Sequence, residues 1–218
     1  MQEQPLIWMR APQQARSQAT LDRLLDAAES LLDEGTFDQL SVQAICKRAS
    51  SSVGAFYTRF ADKTALLHVL HERLCAEAKS TAAAALAPER WVGVETEQII
   101  GLMVRFLVAE YGQRRGLRRE LVRRNGIDLA FRDRSIEVAA DTVQRLSVLL
   151  AERQAEIGEH DPLLAAEMCN RLLFGVLDQH AQYADVGPAG IVIDDETLID
   201  NLKAVLLGWL RSKPAPTV

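Results

Sequence analysis

Between Ser41 and Phe60 two short apolar bursts stand on either side of Ser50-Ser51-Ser52, and this interruption constrains the fold more than any other feature of the chain. Serine hydroxyls compete for backbone hydrogen bonds and favour turns and caps over helix interiors. The run predicts a tight turn joining a helix that Ser41 caps, through Ala49, to another that begins at Ser52 and runs through Phe60. Val42 or Ala44, with Ile45 and Ala49, supplies the apolar face of the first. In the second, Phe56 and Phe60 anchor one side while Val53, Tyr57 and Thr58 look elsewhere. Upstream, Leu21, Leu24, Leu25, Ala28, Leu31 and Leu32 recur at spacings of three and four, which predicts an amphipathic helix that Gly35 ends. Two short helices, a tight turn and an apolar backing helix make a helix-turn-helix.

The rest of the chain carries only helical periodicity. Asp62 caps a fourth helix with the stripe Leu66, Leu67, Leu70 and Leu74, which Pro88 bounds, and further helices are predicted near 94–111, 117–124, 131–157, 162–183 and 196–211. Asp194, Asp195 and Glu196 place negative charge at the start of the last one, where the helix dipole favours it, and Leu198, Leu202, Val205, Leu206 and Trp209 form its stripe. Abundant Ala, Leu, Arg and Glu with little Gly and Pro agree with an all-α fold. The expected organisation is a flexible arm over 1–15, a helix-turn-helix domain over 16–63, a connecting helix over 64–86, a helical domain over 87–212, and a flexible tail over 213–218, with Pro188 and Gly190 in the loop before the last helix and Pro214 and Pro216 at the end.

A net charge of −5 argues against a protein that coats nucleic acid indiscriminately, so any DNA contact is local. Cys46, Cys75 and Cys169 are far apart and without a CxxC, which suggests neither a disulfide framework nor a zinc site and fits a reducing cytoplasm. The first ten residues hold no apolar core of signal-peptide length, and the stretch 99–109 contains Arg105 and ends at Glu110, too short to cross a bilayer. A Walker loop, nucleophile elbow, HExxH and dinucleotide fingerprint are all missing, so no catalytic residue, metal or cofactor is assigned.

From Arg16 to Leu74 the sequence resembles the tetracycline-repressor (TetR) family of bacterial regulators. The resemblance rests on Ala27-Ala28 and Leu31-Leu32, then Gly35-x-Phe37, then Ser41-x-x-x-Ile45-Cys46-x-x-Ala49, then Ser52-x-Gly54-x-Phe56-Tyr57-x-x-Phe60-x-x-Lys63-x-x-Leu66-Leu67. The family usually has Ala at Cys46, Gly-Val at Ser50-Ser51, and His or Tyr at Arg59. Cysteine is small enough to be absorbed. Serine at 51 loses a buried valine's apolar area, which predicts a slightly loose turn or a hydroxyl bonded to nearby backbone.

The resemblance implies that Ser41, Tyr57, Arg59 and Lys63 hold phosphates, and that Gln43, Ser52, Val53, Gly54 and Thr58 reach base edges or thymine methyls. Outside such a pattern Tyr57 and Lys63 would be an ordinary interface tyrosine and a solvated lysine. Arg114, Arg115, Arg118, Arg119, Arg123 and Arg124 fit a solvated helix face, an attraction toward DNA, or a dock for an acidic effector. His68 and His71 fit solvated or interfacial positions better than a metal site, for which no third ligand is evident. His180, with Asp178, Cys169 and Tyr183, fits a pocket wall, core or subunit interface.

The resemblance further implies a homodimer built on the last two long helices, a near-palindromic operator in double-stranded DNA, and a repressor released by a small-molecule effector. The helix over 64–86 would transmit the signal. Trp91, Phe106, Tyr111, Phe131, Phe174 and His180 are the expected effector-binding residues, since effector sites are apolar cavities with few polar groups. A DNA-binding regulator without a small-molecule effector and an all-helical enzyme are the alternatives.

Overall fold

The computed structural model describes residues 15–158, 160–183, 187 and 189–213. The arm expected over 1–15 and the tail expected over 213–218 lie outside these residues, except for Ala15 and Lys213, as do Pro188, Pro214 and Pro216. The described residues form nine α-helices and no strand, so the expected all-α class holds. They divide into two compact units. One comprises the described residues up to Glu77 together with Arg114–Arg134; the other comprises Ala78–Gln113 and the described residues from Ser135 onward.

The N-terminal unit holds α1 (Ala15–Glu34), α2 (Val42–Arg48), α3 (Val53–Tyr57), the first turns of α4 (Lys63–Ala85), α6 (Arg115–Asn125) and the start of α7 (Leu129–Ala151). Leu24, Ala28 and Leu32 of α1, Ile45 of α2, Phe56 of α3, Phe60 between α3 and α4, Leu66, Leu67 and Leu70 of α4, Leu117 of α6 and Phe131 of α7 make one buried cluster. The predicted stripe of α1 therefore faces inward.

What presses α6 against α1 is the absence of a side chain at Gly116. A Cβ there would come 2.0 Å from the Leu32 carbonyl oxygen, and the Gly116 amide donates to Asp33 Oδ1 at 2.7 Å. Beside this contact Arg114 pairs with Glu29 and Glu77, and Arg73 with Asp26 and Glu29. Further along α6 the buried Glu120 accepts from Arg123 and Arg124. Burial pushes the Glu120 carboxyl up, but the two guanidiniums outweigh it and hold the group below the usual range. The arginine stretch is thus no uniformly solvated face, since Arg114, Arg123 and Arg124 are ion-paired within this unit.

The second unit holds α5 (Thr96–Gln113), the remainder of α7, α8 (Pro162–Tyr183) and α9 (Asp195–Leu210). Ile99, Ile100 and Val104 of α5, Leu146, Leu149 and Leu150 of α7, Cys169, Leu173 and Leu177 of α8, and Leu198, Leu202 and Leu206 of α9 form its core. Asp194 caps α9 by accepting from the Thr197 amide at 2.8 Å. The helix expected to reach Ile157 ends at Ala151. There the Arg153 guanidinium folds back to donate to the carbonyls of Leu149 and Trp91, satisfying oxygens at a helix C-terminus that a cation suits.

Two other expectations need correction. The third helix stops at Tyr57, short of Phe60, as the Thr58 hydroxyl bonds back to the Gly54 carbonyl at 2.8 Å. His68 and His71 are not solvated but buried, 4% and 3% exposed. Burial first, and then the Arg134 charge, lowers the pKa of both, His71 to about 4.

Gly116→Ala is expected to destabilise the protein by about 1–3 kcal/mol or more, because the new methyl meets backbone rather than a flexible side chain, and urea denaturation measures it. Because the unfolded chain binds a proton at His71 near pH 6.5 and the folded one only near 4, stability is full above pH 6.5 and falls as the pH drops to about 4. The loss is on the order of 3 kcal/mol, and His71→Phe should flatten the acid limb of denaturation midpoint against pH.

Candidate nucleic-acid interface

Two serine caps orient the helices of the helix-turn-helix. Ser41 Oγ accepts from the Ala44 amide at 3.1 Å and Ser52 Oγ from the Ala55 amide at 3.0 Å, each from extended backbone. Between them the turn is closed by the Ser51 amide on the Cys46 carbonyl at 2.9 Å, with Ser50 at φ +49°, a left-handed conformation that the family's glycine adopts without cost. At Ser51 it is the backbone amide that closes the turn.

Phe56 is fully buried, edge-on to Tyr57 and tilted against Phe60, which fixes the rotation of α3. That rotation leaves Val53, Gly54, Tyr57 and Thr58 exposed, alongside Ser41, Gln43 and Ser52. A Cβ on Gly54 would meet only Ser52 Oγ, at 3.8 Å, so a large flat surface can approach its backbone.

Arg59 and Lys63 differ from these seven. Arg59 is half-buried and donates to the Ala55 carbonyl and to Ser17, tying α3 to the start of α1. Lys63 Nζ donates to the carbonyls of Phe37, Asp38 and Leu40 and lies 4.7 Å from the Phe37 ring centroid, while Arg124 lies 4.8 Å from the same centroid. Both side chains hold α3 and the loop before α2 in place from within.

Lys47 escaped the sequence reading. It stands exposed on α2 one turn after Gln43, and among the described residues no hydrogen bond or ion pair holds its ammonium. The signal was its i, i+4 spacing from Gln43. Its neighbour Arg48 is instead engaged by Glu34 and Ser30.

The expected effector residues are not all brought together. Tyr111 donates to Asp178 at 2.9 Å and its ring lies 6.1 Å from that of Phe174. Trp91 is buried with its indole N–H on the Ala85 carbonyl, His180 is half-buried, and Phe106 is 43% exposed. Phe131 falls out of the set, being a core residue of the N-terminal unit stacked against His68 and His71. A cleft of about 410 Å³ also belongs to the N-terminal unit and is polar, lined by Asp26, Glu29, Ser30, Asp33, Arg73, Glu77 and Arg114.

The helix-turn-helix and its backing helix coincide with a match to the bacterial regulatory proteins of the tetR family over residues 24–70. This segment is a TetR segment. The described residues have the TetR fold, an N-terminal helix-turn-helix unit and a helical C-terminal part. The chain resembles a TetR-family transcriptional regulator from Mesorhizobium loti MAFF303099 at TM-score 0.69 and 18% identity, covering 90% of this chain and 98% of that one. The fatty acid degradation regulator FadR from Bacillus halodurans gives TM-score 0.65 at 21% identity, covering 89% and 97%. FadR from Bacillus subtilis, solved with stearoyl-CoA, gives 0.63 at 17% identity, covering 86% and 98%. No curated protein matches the chain in sequence. Among the described residues no helix is long and apolar enough to cross a membrane.

Lys63→Ala strips three carbonyls of a charged donor and is expected to cost about 1.5–3 kcal/mol in urea denaturation. Gln43→Ala, on the exposed face of α2, should stay within about 0.5 kcal/mol of the parent.

Proposed function

We propose that this protein is a dimeric, DNA-binding transcriptional repressor of the cytoplasm, released from a near-palindromic operator by a small-molecule effector. The observation that carries the reading is the division of α3, with Phe56 wholly buried while Val53, Gly54, Tyr57 and Thr58 face outward beside the capped start of α2. Such a helix can enter a major groove while serine caps and helix N-termini meet phosphates.

In this reading Gln43, Ser52, Val53, Gly54 and Thr58 meet base edges or thymine methyls, and Ser41, Tyr57 and Lys47 meet phosphates. Arg59 and Lys63 serve the interface by holding α3 and the loop before α2, and reach DNA only by exchanging those bonds. The dimer would form on α8 and α9, where Leu164, Val176, Tyr183 and Val205 are exposed despite their apolar character. A C2 dimer reads a pseudo-palindrome. The effector would bind in the C-terminal unit near Tyr111 and Phe174; the fold relative from Bacillus subtilis was solved with stearoyl-CoA, which supports an apolar ligand.

Selection from random duplexes by the purified protein is expected to enrich a near-palindrome; no enrichment at low salt would overturn the proposal. With the selected duplex, Lys47→Gln should reduce the slope of log affinity against log salt by about 1 per subunit without changing the selected sequence.

A further inference from the structure

Arg134, near the start of α7, joins two buried histidines of α4. Its Nη2 lies 2.7 Å from His68 Nδ1, and its Nε donates to His71 Nδ1 at 3.3 Å. A guanidinium only donates, so both Nδ1 atoms must present lone pairs and both imidazoles are neutral in this arrangement. The His68 proton then sits on Nε2, 3.6 Å from the Asp128 carboxylate. Phe131, fully buried, stacks on His68 at 4.2 Å and on His71 at 5.0 Å, with the Arg134 guanidinium 5.2 Å from its centroid and Glu72 at 3.5 Å from Arg134.

We propose that this cluster is an acid-released latch, in which a proton from solvent at Nδ1 of His68 or His71 turns an acceptor into a donor facing the guanidinium and detaches the start of α7 from α4. Desolvation, Arg134 and Arg124 oppose charge on His68 while Asp128 and Asp62 favour it. On His71, desolvation, Arg134, His68 and Arg118 oppose it and Asp128 favours it. The opposition wins at both, so the latch is closed at neutral pH and loosens in acid. The stretch of α4 that loses this contact lies about one to two turns beyond Lys63, which holds the loop before α2, so opening weakens DNA binding. This consequence, though not the latch, rests on the proposed function.

The test is hydrogen exchange of α7's first two turns at pH 7.5 and pH 5.0, corrected for intrinsic rates, in the full chain with and without low urea. With His71 at about 4 when closed and near 6.5 when open, protection should fall roughly 30-fold at pH 5.0. It should do so independently of urea, as a local opening does. His68→Gln/His71→Gln, which keeps acceptors for Arg134, should remove the fall, and histidine ring NMR of the parent should show both titrating below 6.5. Unchanged protection, or a fall shared by α1 and steepened by urea, would overturn the latch. Identical pH profiles of duplex affinity for parent and double variant would overturn its link to DNA. Absence of duplex binding at every pH would instead sink the regulator reading, leaving the exchange result to decide the latch.

Discussion

The N-terminal unit depends on one close approach, that of the Gly116 backbone to the Leu32 carbonyl at the end of α1. Without it α6 could not lie against α1, Leu117 and Leu121 could not complete the cluster around Phe56 and Leu66, and Arg124 could not reach Phe37. Packing, ion pairing and the placement of α2 and α3 follow from a residue that has no side chain. The polar groups around it are arranged accordingly, with Asp33 on the Gly116 amide and Arg114 and Arg73 sharing Glu29.

Charge in this unit acts mainly inward. Arg59, Lys63, Arg123 and Arg124 spend their donors on carbonyls and carboxylates of the same unit, which leaves hydroxyls, an amide and Lys47 on the outer face of α2 and α3. Charge-assisted bonds of this kind are stronger than neutral ones and fix geometry. A surface of small polar groups on a rigid frame loses little side-chain freedom when it binds.

What the sequence made legible was local. Ser41 and Asp62 were readable as caps, Ser52 as the start of a helix and Asp194 as negative charge at the start of another, because each acts on an amide three residues away. The stripes of α1 and α9 were readable because periodicity needs no partner. The TetR resemblance added the order of the pieces, and the match over residues 24–70 agrees with it. Partners distant in sequence escaped: Lys63 on the loop at 37–40, Arg153 on Trp91, and Phe131 stacked on the α4 histidines, which took it out of the expected effector set. Charge and aromatic character gave these residues plausible surface or pocket roles, whereas tertiary contacts gave them frame roles.

The discontinuity of the N-terminal unit bears on how such a unit could be transplanted. A cut within α4 at Glu77 would remove Leu117, Leu121 and Phe131 from its core and strand Asp33, Glu29 and Phe37 without their partners in the 114–134 segment. A chimaera made by simple end-to-end fusion would therefore inherit an open flank on α1. A viable graft has to carry the 114–134 segment as well, so the exchangeable module in this chain is an assembly of two stretches rather than a prefix.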